Sequence, residues 1–325
     1  MRAARWETAP LCGACGSSEC LSAAVISHRR FVSCKSCGVY RLYDRVAEAD
    51  LDLLYSGYYP GGEPSPAEID EQIRNPTFAH RQRRIERYLG ARPRRILEVG
   101  CGDGNFLARL RRGGWDVQGS EYEPVVAGAV QRRHGIAVVT GDVTAGNPRI
   151  GTYPVVAAYH VIEHVYHPAQ WARGVRNLVE PGGLLHLQTP NRDALSHSLS
   201  GPSWAGLVFP QHVYLYTPAT LAAVLERAGF AVLAVTTWDP WHGPGMMCAS
   251  IANLVRRVFL GRQAWSDRLA THEESAAAFA ANVERSRGLR AVPHHVLDAL
   301  SHPLARAEAA LGRGGVVDVI ARRTA

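Results

Sequence analysis

Ile96-Leu97-Glu98-Val99-Gly100-Cys101-Gly102-Asp103-Gly104-Asn105-Phe106-Leu107 decides how this chain folds. An apolar strand runs into an acid, a glycine-rich turn and the start of a helix. That order is how a doubly wound α/β domain opens a nucleotide-type pocket at the carboxyl end of its first strand. The glycine spacing narrows the ligand. A pyrophosphate asks for G-x-G-x-x-G, so that it rests on the helix amides. Here the glycines fall at 100, 102 and 104, and Asn105 follows. Glu98 stands directly before the turn, where it repels a pyrophosphate and suits a cation.

Outward from this stretch, strand and helix patterns alternate. The sequence predicts strands at 95–99, 115–119, 136–139, 155–158, 184–188, 231–237 and 316–320. Helices are expected at 76–89, 104–112, 124–133, 168–179 and 218–228. Alternation of this kind predicts a doubly wound, Rossmann-like sheet of seven strands with helices on both faces. The organisation reads as a small metal module at 1–45, a helical connector at 46–92 and the core at 93–242. A mostly helical insertion at 243–312 and a last core strand at 313–325 complete it. The insertion is expected to cap the active site. It could instead contact a membrane surface, or a second copy of the chain in a homodimer.

Four of the seven cysteines are arranged. Cys12-x-x-Cys15 and Cys34-x-x-Cys37 match the C-x2-C-x15–20-C-x2-C spacing of zinc sites. Each pair is followed by glycine, Gly16 and Gly38, which permits the tight turn that aims two thiolates at one metal. Four thiolates fill a tetrahedron, so this zinc is expected to be structural. So short a segment builds little core, and the metal would supply its folding energy. Cys20, Cys101 and Cys248 stand apart from this pattern.

The bulk numbers exclude several classes. The chain has 325 residues, 46% hydrophobic and 20% charged, as for a globular protein. No apolar run reaches the length of a membrane span, and Met1 to Pro10 lacks a signal core, so a cytoplasmic location is expected. The net charge is +7. Lys35 is the only lysine, and the arginines are mostly dispersed, with local runs at 81–84 and 92–95. Such dispersion, and the lack of aromatic–basic interleaving between Cys12 and Cys37, argues against a nucleic-acid partner.

Two further acids close successive strands. Glu121 ends the second, where a carboxylate can accept both hydroxyls of a ribose. Asp142 ends the third, where it can accept from an adenine amino group. With these in place the chain resembles class I methyltransferases that carry an N-terminal four-cysteine zinc module. The likeness rests on E-x-G-x-G-x-G at 98–104, Asp116-Val117-Gln118-Gly119-Ser120-Glu121 and Tyr159-His160-Val161-Ile162-Glu163-His164-Val165. It extends over Leu54-Tyr55-Ser56-Gly57-Tyr58-Tyr59, Pro181-Gly182-Gly183, Thr189-Pro190-Asn191 and His212-Val213-Tyr214-Leu215-Tyr216-Thr217. It implies S-adenosylmethionine as methyl donor, a cation without phosphate, held by Glu98, Gly100, Gly102, Gly104, Asn105, Phe106, Glu121, Tyr122, Asp142, Val143 and His160. Members of this group often modify sugars or specialised metabolites, so a small-molecule acceptor is expected.

A hydroxyl acceptor needs a base as the new bond forms. His164, which follows the fourth strand, is the first candidate, His212 the second and His160 the third, because imidazole titrates near neutral pH. Trp204, Tyr166 and Tyr214 could wall an acceptor pocket. His160, Glu163 and His164 also have the i, i+3, i+4 spacing of a metal site. Quinone-pathway O-methyltransferases are similar here but carry an acid where this chain has His160. O-methylation of a sugar or specialised metabolite is the leading reading. Sugar C-methylation and RNA methylation are the alternatives.

Overall fold

The computed structural model describes residues 4–26, 28–55, 64–146, 150–260 and 294–325. The chain divides into two compact units, each drawn from separate stretches of sequence. One comprises 1–62, 190–220 and 237–317; the other comprises 63–189, 221–236 and 318–325.

In the first unit, β1 (Trp6–Thr8) pairs antiparallel with β5 (Asp44–Val46). A four-stranded sheet is built from β2 (Cys20–Ile26), β3 (Arg29–Cys34) and β4 (Tyr40–Leu42). Its order is β11-β4-β3-β2, with β11 (Tyr214–Leu215) arriving from far along the chain. Sequence periodicity gave no sign of these strands, because most are three residues or fewer, or lie on an edge. The unit also holds α1 (Leu51–Tyr55), α7 (Leu195–Ser200), α9 (His242–Leu260) and the helix His294–Ala310. α9 packs on the helix His294–Ala310 and on α7. α9 and the helix His294–Ala310 are the described ends of the expected insertion; residues 261–293 lie outside the described residues, as do 56–59 of the Leu54–Tyr59 stretch. None of the described helices is long and apolar enough to cross a membrane.

The second unit opens with α2 (Pro66–Ile73) and α3 (Pro76–Leu89). The sheet strands are β6 (Arg95–Val99), β7 (Asp116–Glu121), β8 (Val138–Thr140), β9 (Tyr153–Tyr159), β10 (Val179–Pro190), β12 (Phe230–Thr236) and β13 (Val316–Arg323). They form the expected seven-stranded sheet in the order β12-β13-β10-β9-β6-β7-β8. The pairs β10/β9, β9/β6, β6/β7 and β7/β8 are parallel, while β12/β13 is antiparallel. Between them run α4 (Asn105–Arg112), α5 (Pro124–His134), α6 (Pro168–Leu178) and α8 (Pro218–Arg227).

Local chemistry fixes these starts. Proline sits in the first helical turn of α2, α3, α5 and α6, where its missing N–H has no intrahelical partner to lose. Ser65 and Glu68 form a reciprocal capping box on α2. Ile85, Leu89, Ile96, Leu107, Leu110 and Val155 belong to one buried cluster that joins α3 and α4 to the sheet. The strand order reverses direction at β6, which has β7 on one side and β9 on the other. Ligands of open α/β sheets bind in the crevice at such a switch point.

Candidate functional site

Glu98 is the penultimate residue of β6 and is only 4% exposed. Its Oε2 is buried and has no hydrogen-bond partner among the described residues. Burial pushes the carboxyl up to about 8, against the pull of the Arg81 charge. The turn that follows is shaped by its glycines. Gly100 has φ +69, and a Cβ there would lie 2.7 Å from Val161 Cγ2. Gly104 has φ +73, and its Cβ would meet Val130 Cγ1 at 2.5 Å. Both positions combine a left-handed backbone with closely packed neighbours, so a side chain is excluded twice over.

Asp103 stands just before Gly104, the N-cap of α4, and its Oδ1 accepts from the Asn105 amide at 3.0 Å. The Asn105 side chain donates to Asp103 Oδ2 at 2.7 Å and to Gln72 Oε1 at 2.9 Å. Its Oδ1 is buried and, like Glu98 Oε2, unpartnered among the described residues. Two buried acceptors lacking donors suit a ligand that brings N–H or O–H groups, as an aminoacyl cation does. Phe106, expected to touch the donor, lies in the core, its ring 5.4 Å edge-on to Tyr159 and 5.7 Å from Phe78. Gln72 is a contact that sequence reading missed, since one glutamine on a short polar helix carries no pattern.

Glu121 ends β7. Its Oε2 accepts from the Gly102 amide at 2.9 Å, and its Oε1 from Tyr122 N at 2.9 Å and Glu123 N at 3.3 Å. Burial raises its pKa, and the three amides oppose the rise. A carboxylate offers about four acceptor directions, so Oε2 keeps one for a ligand hydroxyl. A second hydroxyl would have to displace the long Glu123 contact. The Tyr122 side chain is exposed. Asp142 is exposed and folds onto its own loop, its Oδ1 accepting from Thr144 N at 2.8 Å and Thr144 Oγ1 at 2.7 Å; Val143 is buried. Glu98, the glycine turn, Glu121 and Asp142 thus lie at or just beyond the carboxyl ends of three adjacent strands, β6, β7 and β8.

On the other side of β6, β9 ends at Tyr159 and the chain turns sharply. His160 has φ +56, an unusual value for a side chain of its size. Its amide donates to the Gln188 carbonyl at 2.8 Å. Its Nδ1 lies 3.2 Å from Glu163 Oε1, and Thr189 Oγ1 donates to Glu163 Oε2 at 2.8 Å. Glu163 and His164 belong to a single 3₁₀ turn over Ile162–His164. His160 lies outside that turn, so the three side chains do not share one helical face as their spacing suggested. His164 is partly exposed.

Beneath this edge lies a buried polar network that sequence reading missed. Tyr159 Oη is 2.9 Å from His186 Nδ1, and His186 Nε2 is 3.0 Å from Asp318 Oδ2. Arg84 donates to Asp318 Oδ1, and Gln188 to its Oδ2. Arg81 donates to Gln188 Oε1 at 2.6 Å and stacks 3.8 Å from the Tyr159 ring centre. The sequence showed Arg81 and Arg84 only as part of a local arginine run, and Arg81 is 4% exposed. The signal was present in the spacing: Arg81 stands four and eight residues before Ile85 and Leu89, on the buried stripe of α3.

In the first unit, the Sγ atoms of Cys12, Cys15, Cys34 and Cys37 all lie within 4.8 Å of one another. Two matching turns hold them. Gly16 N donates to the Cys12 carbonyl at 2.7 Å, and Gly38 N to the Cys34 carbonyl at 2.9 Å. Cys12 and Cys37 are 3.7 Å apart, and their contact pushes the first thiol down and the second up. A donor set of four sulfurs at that separation fits tetrahedral zinc. His212 is buried, and its Nδ1 lies 2.9 Å from the Gly206 carbonyl. Donation from Nδ1 leaves Nε2 with the lone pair a base needs. Trp204 and Tyr214 are buried within this unit, and Tyr166 within the other.

Known proteins match this arrangement. A family described as a methyltransferase domain matches residues 71–235, about half of the chain. A ubiquinone biosynthesis O-methyltransferase of Xanthomonas euvesicatoria is 30% identical over 165 residues, covering 46% of this chain and 68% of that protein. The enzyme of the same name from Xylella fastidiosa is 27% identical over 228 residues, covering 64% of this chain and 90% of its own. A probable S-adenosylmethionine-dependent methyltransferase of Mycolicibacterium smegmatis is 29% identical over 157 residues, covering 47% of this chain and 57% of its own.

Proposed function

The chain belongs to the class I S-adenosylmethionine-dependent methyltransferases, and from that premise we propose that it methylates a hydroxyl oxygen of a small molecule, a sugar or specialised metabolite. The observation that carries the donor site is Glu98, a buried carboxyl with an unpartnered oxygen at the switch point of the sheet. It supports a role opposite the cationic end of the donor. Glu121 is assigned to the ribose, Asp142 to the adenine edge, and Asn105 to a donated N–H or O–H.

The donor's methyl group is already activated by its sulfonium charge, so the protein's task is alignment and proton removal. The acceptor oxygen forms the new C–O bond as the C–S bond breaks. The electron pair of that bond stays on sulfur, and the hydroxyl proton passes to an imidazole. His164 and His212 are the proposed bases, and the Nδ1 contact of His212 with Gly206 supports the tautomer required. The names of the two O-methyltransferase relatives support oxygen as the acceptor atom. We assign zinc to Cys12, Cys15, Cys34 and Cys37, as a structural ion.

Calorimetry tests the donor site: Glu121→Ala is expected to weaken S-adenosylmethionine binding at least tenfold, equivalent to about 1.4 kcal/mol. Unchanged affinity overturns the assignment. For the acceptor, the test is a panel of hydroxylated sugars and phenols, with products examined by mass spectrometry and NMR. A methyl signal on oxygen supports the reading, and one on carbon overturns it. His164→Asn and His212→Asn are expected to separate the bases; full turnover in both removes the histidine role.

A further inference from the structure

The segment that carries His212 is built onto the four-cysteine module. Gly13 lies inside the first cysteine turn, and its amide donates to Tyr214 Oη at 2.9 Å. Tyr214 is only 3% exposed and sits two residues beyond His212. Its strand, β11, pairs with β4, which follows the second cysteine turn: Tyr214 faces Arg41 and Leu215 faces Tyr40. Leu42 N donates to the Val213 carbonyl at 2.9 Å. Arg41, 1% exposed, donates to the carbonyls of Ala9 and Pro10, just ahead of Cys12.

On the other flank of His212, Phe209 stacks 5.8 Å from Trp6 and lies 6.2 Å from Phe31. Between these anchors the backbone closes on itself, His212 N donating to the Val208 carbonyl at 2.7 Å. Both sides of His212 are therefore tied to the module, and one tie reaches the backbone between two turn residues of the metal cluster. We propose that metal loading of the cysteine cluster sets the position of the His212 imidazole, with the Tyr214 hydroxyl as the direct link. Tyr214 is then a positioning residue. The inference rests on the reading of the cluster as a zinc site and of His212 as a base. It gives the zinc a role beyond folding: the metal holds one side of the acceptor machinery in register.

The test uses the full chain labelled with ¹⁵N-histidine and loaded with zinc. His212 signals are identified by their loss in His212→Asn. Tyr214→Phe removes one hydroxyl and keeps the ring, and its zinc content is measured directly. The expected result is an unchanged zinc content with a shifted or broadened His212 imidazole signal. Chelation of the unaltered chain is expected to move the same signal further. An unmoved signal in zinc-loaded Tyr214→Phe overturns the proposal, as does an unmoved signal after chelation. A Tyr214→Phe chain that no longer holds zinc leaves the decision to the chelated unaltered chain. Full methyl transfer by His212→Asn, with the imidazole of the unaltered chain still following zinc, retires the base reading and leaves the positioning claim standing.

Discussion

Glu98 is a carboxyl kept in a dry place, and its protonation should govern both stability and donor binding. With a folded-state pKa of about 8, it binds its proton more tightly than in the unfolded chain, where it titrates near the ordinary carboxylate value. Between those two values the folded state holds the extra proton, so its stability falls as pH rises. In donor-free protein, Glu98→Gln should flatten that fall between about pH 5 and pH 8, with a difference on the order of 1–3 kcal/mol at the upper end. Urea unfolding at a series of pH values checks the slope. Donor affinity should run the opposite way, rising with pH as the carboxylate forms. Glu98→Gln should weaken binding about tenfold near pH 8, worth about 1.4 kcal/mol, and remove the pH trend. A variant that keeps the trend assigns it to another group.

At the scale of elements, the strand–turn–helix unit from β6 to α4 depends on two glycines whose Cβ positions are occupied. Gly104→Ala should destabilise by about 2–3 kcal/mol, adding left-handed strain to an overpacked contact with Val130. Its midpoint in urea should drop without a change in slope. The buried network on the other side of β6 is held by Asp318 on β13. Burial would push this carboxyl up, but the charge and hydrogen bond of His186 and the charge of Arg84 hold it below the ordinary range. The stability it confers is therefore present above the unfolded value and lost as pH falls through the lower, folded one. Asp318→Asn should cost about 3–5 kcal/mol near neutral pH, because it leaves Arg84 and His186 facing no charge. Thermal melting of the two chains at pH 7 measures it.

These elements also show what could be read from the chain. β6, α4 and α5 were legible because apolar period, glycine and proline agree within a few residues. The acids at 98, 121 and 142 were placed from the glycine motif and the ends of the second and third strands, and they stand at the carboxyl ends of β6 and β7 and just beyond β8. Asp318 was not legible, since its partners lie 130 residues or more away in sequence. Neither was β11, two residues long, whose pairing with β4 comes entirely from tertiary contact. The placement of the Phe106 ring in the core was not legible, because position in a motif does not reveal which face of α4 a side chain takes.

For the whole molecule, the divided chain sets the expectation for metal removal. The four cysteines belong to one compact unit, and Glu98, Glu121 and Asp142 belong to the other. The module around the cysteines consists of short strands with a modest core. A structural zinc contributes roughly 10 kcal/mol of apparent binding free energy in small domains, more than such strands supply. Cys34→Ser removes one of the four sulfurs of the proposed zinc site. It should reduce zinc from one ion per chain to near none, and it should abolish the thiolate-to-metal absorption of a cobalt-substituted sample. Loss of the module takes β11 with it, because among the described residues β11 sits at the end of its sheet and pairs there with β4. The seven-stranded sheet has its own buried cluster, so S-adenosylmethionine binding should persist in Cys34→Ser within about threefold, a difference below 1 kcal/mol. Methyl transfer should fall far more steeply than donor binding. Equal losses of both would show that the cysteine module supports the donor site itself, and undiminished transfer would show that the metal is dispensable.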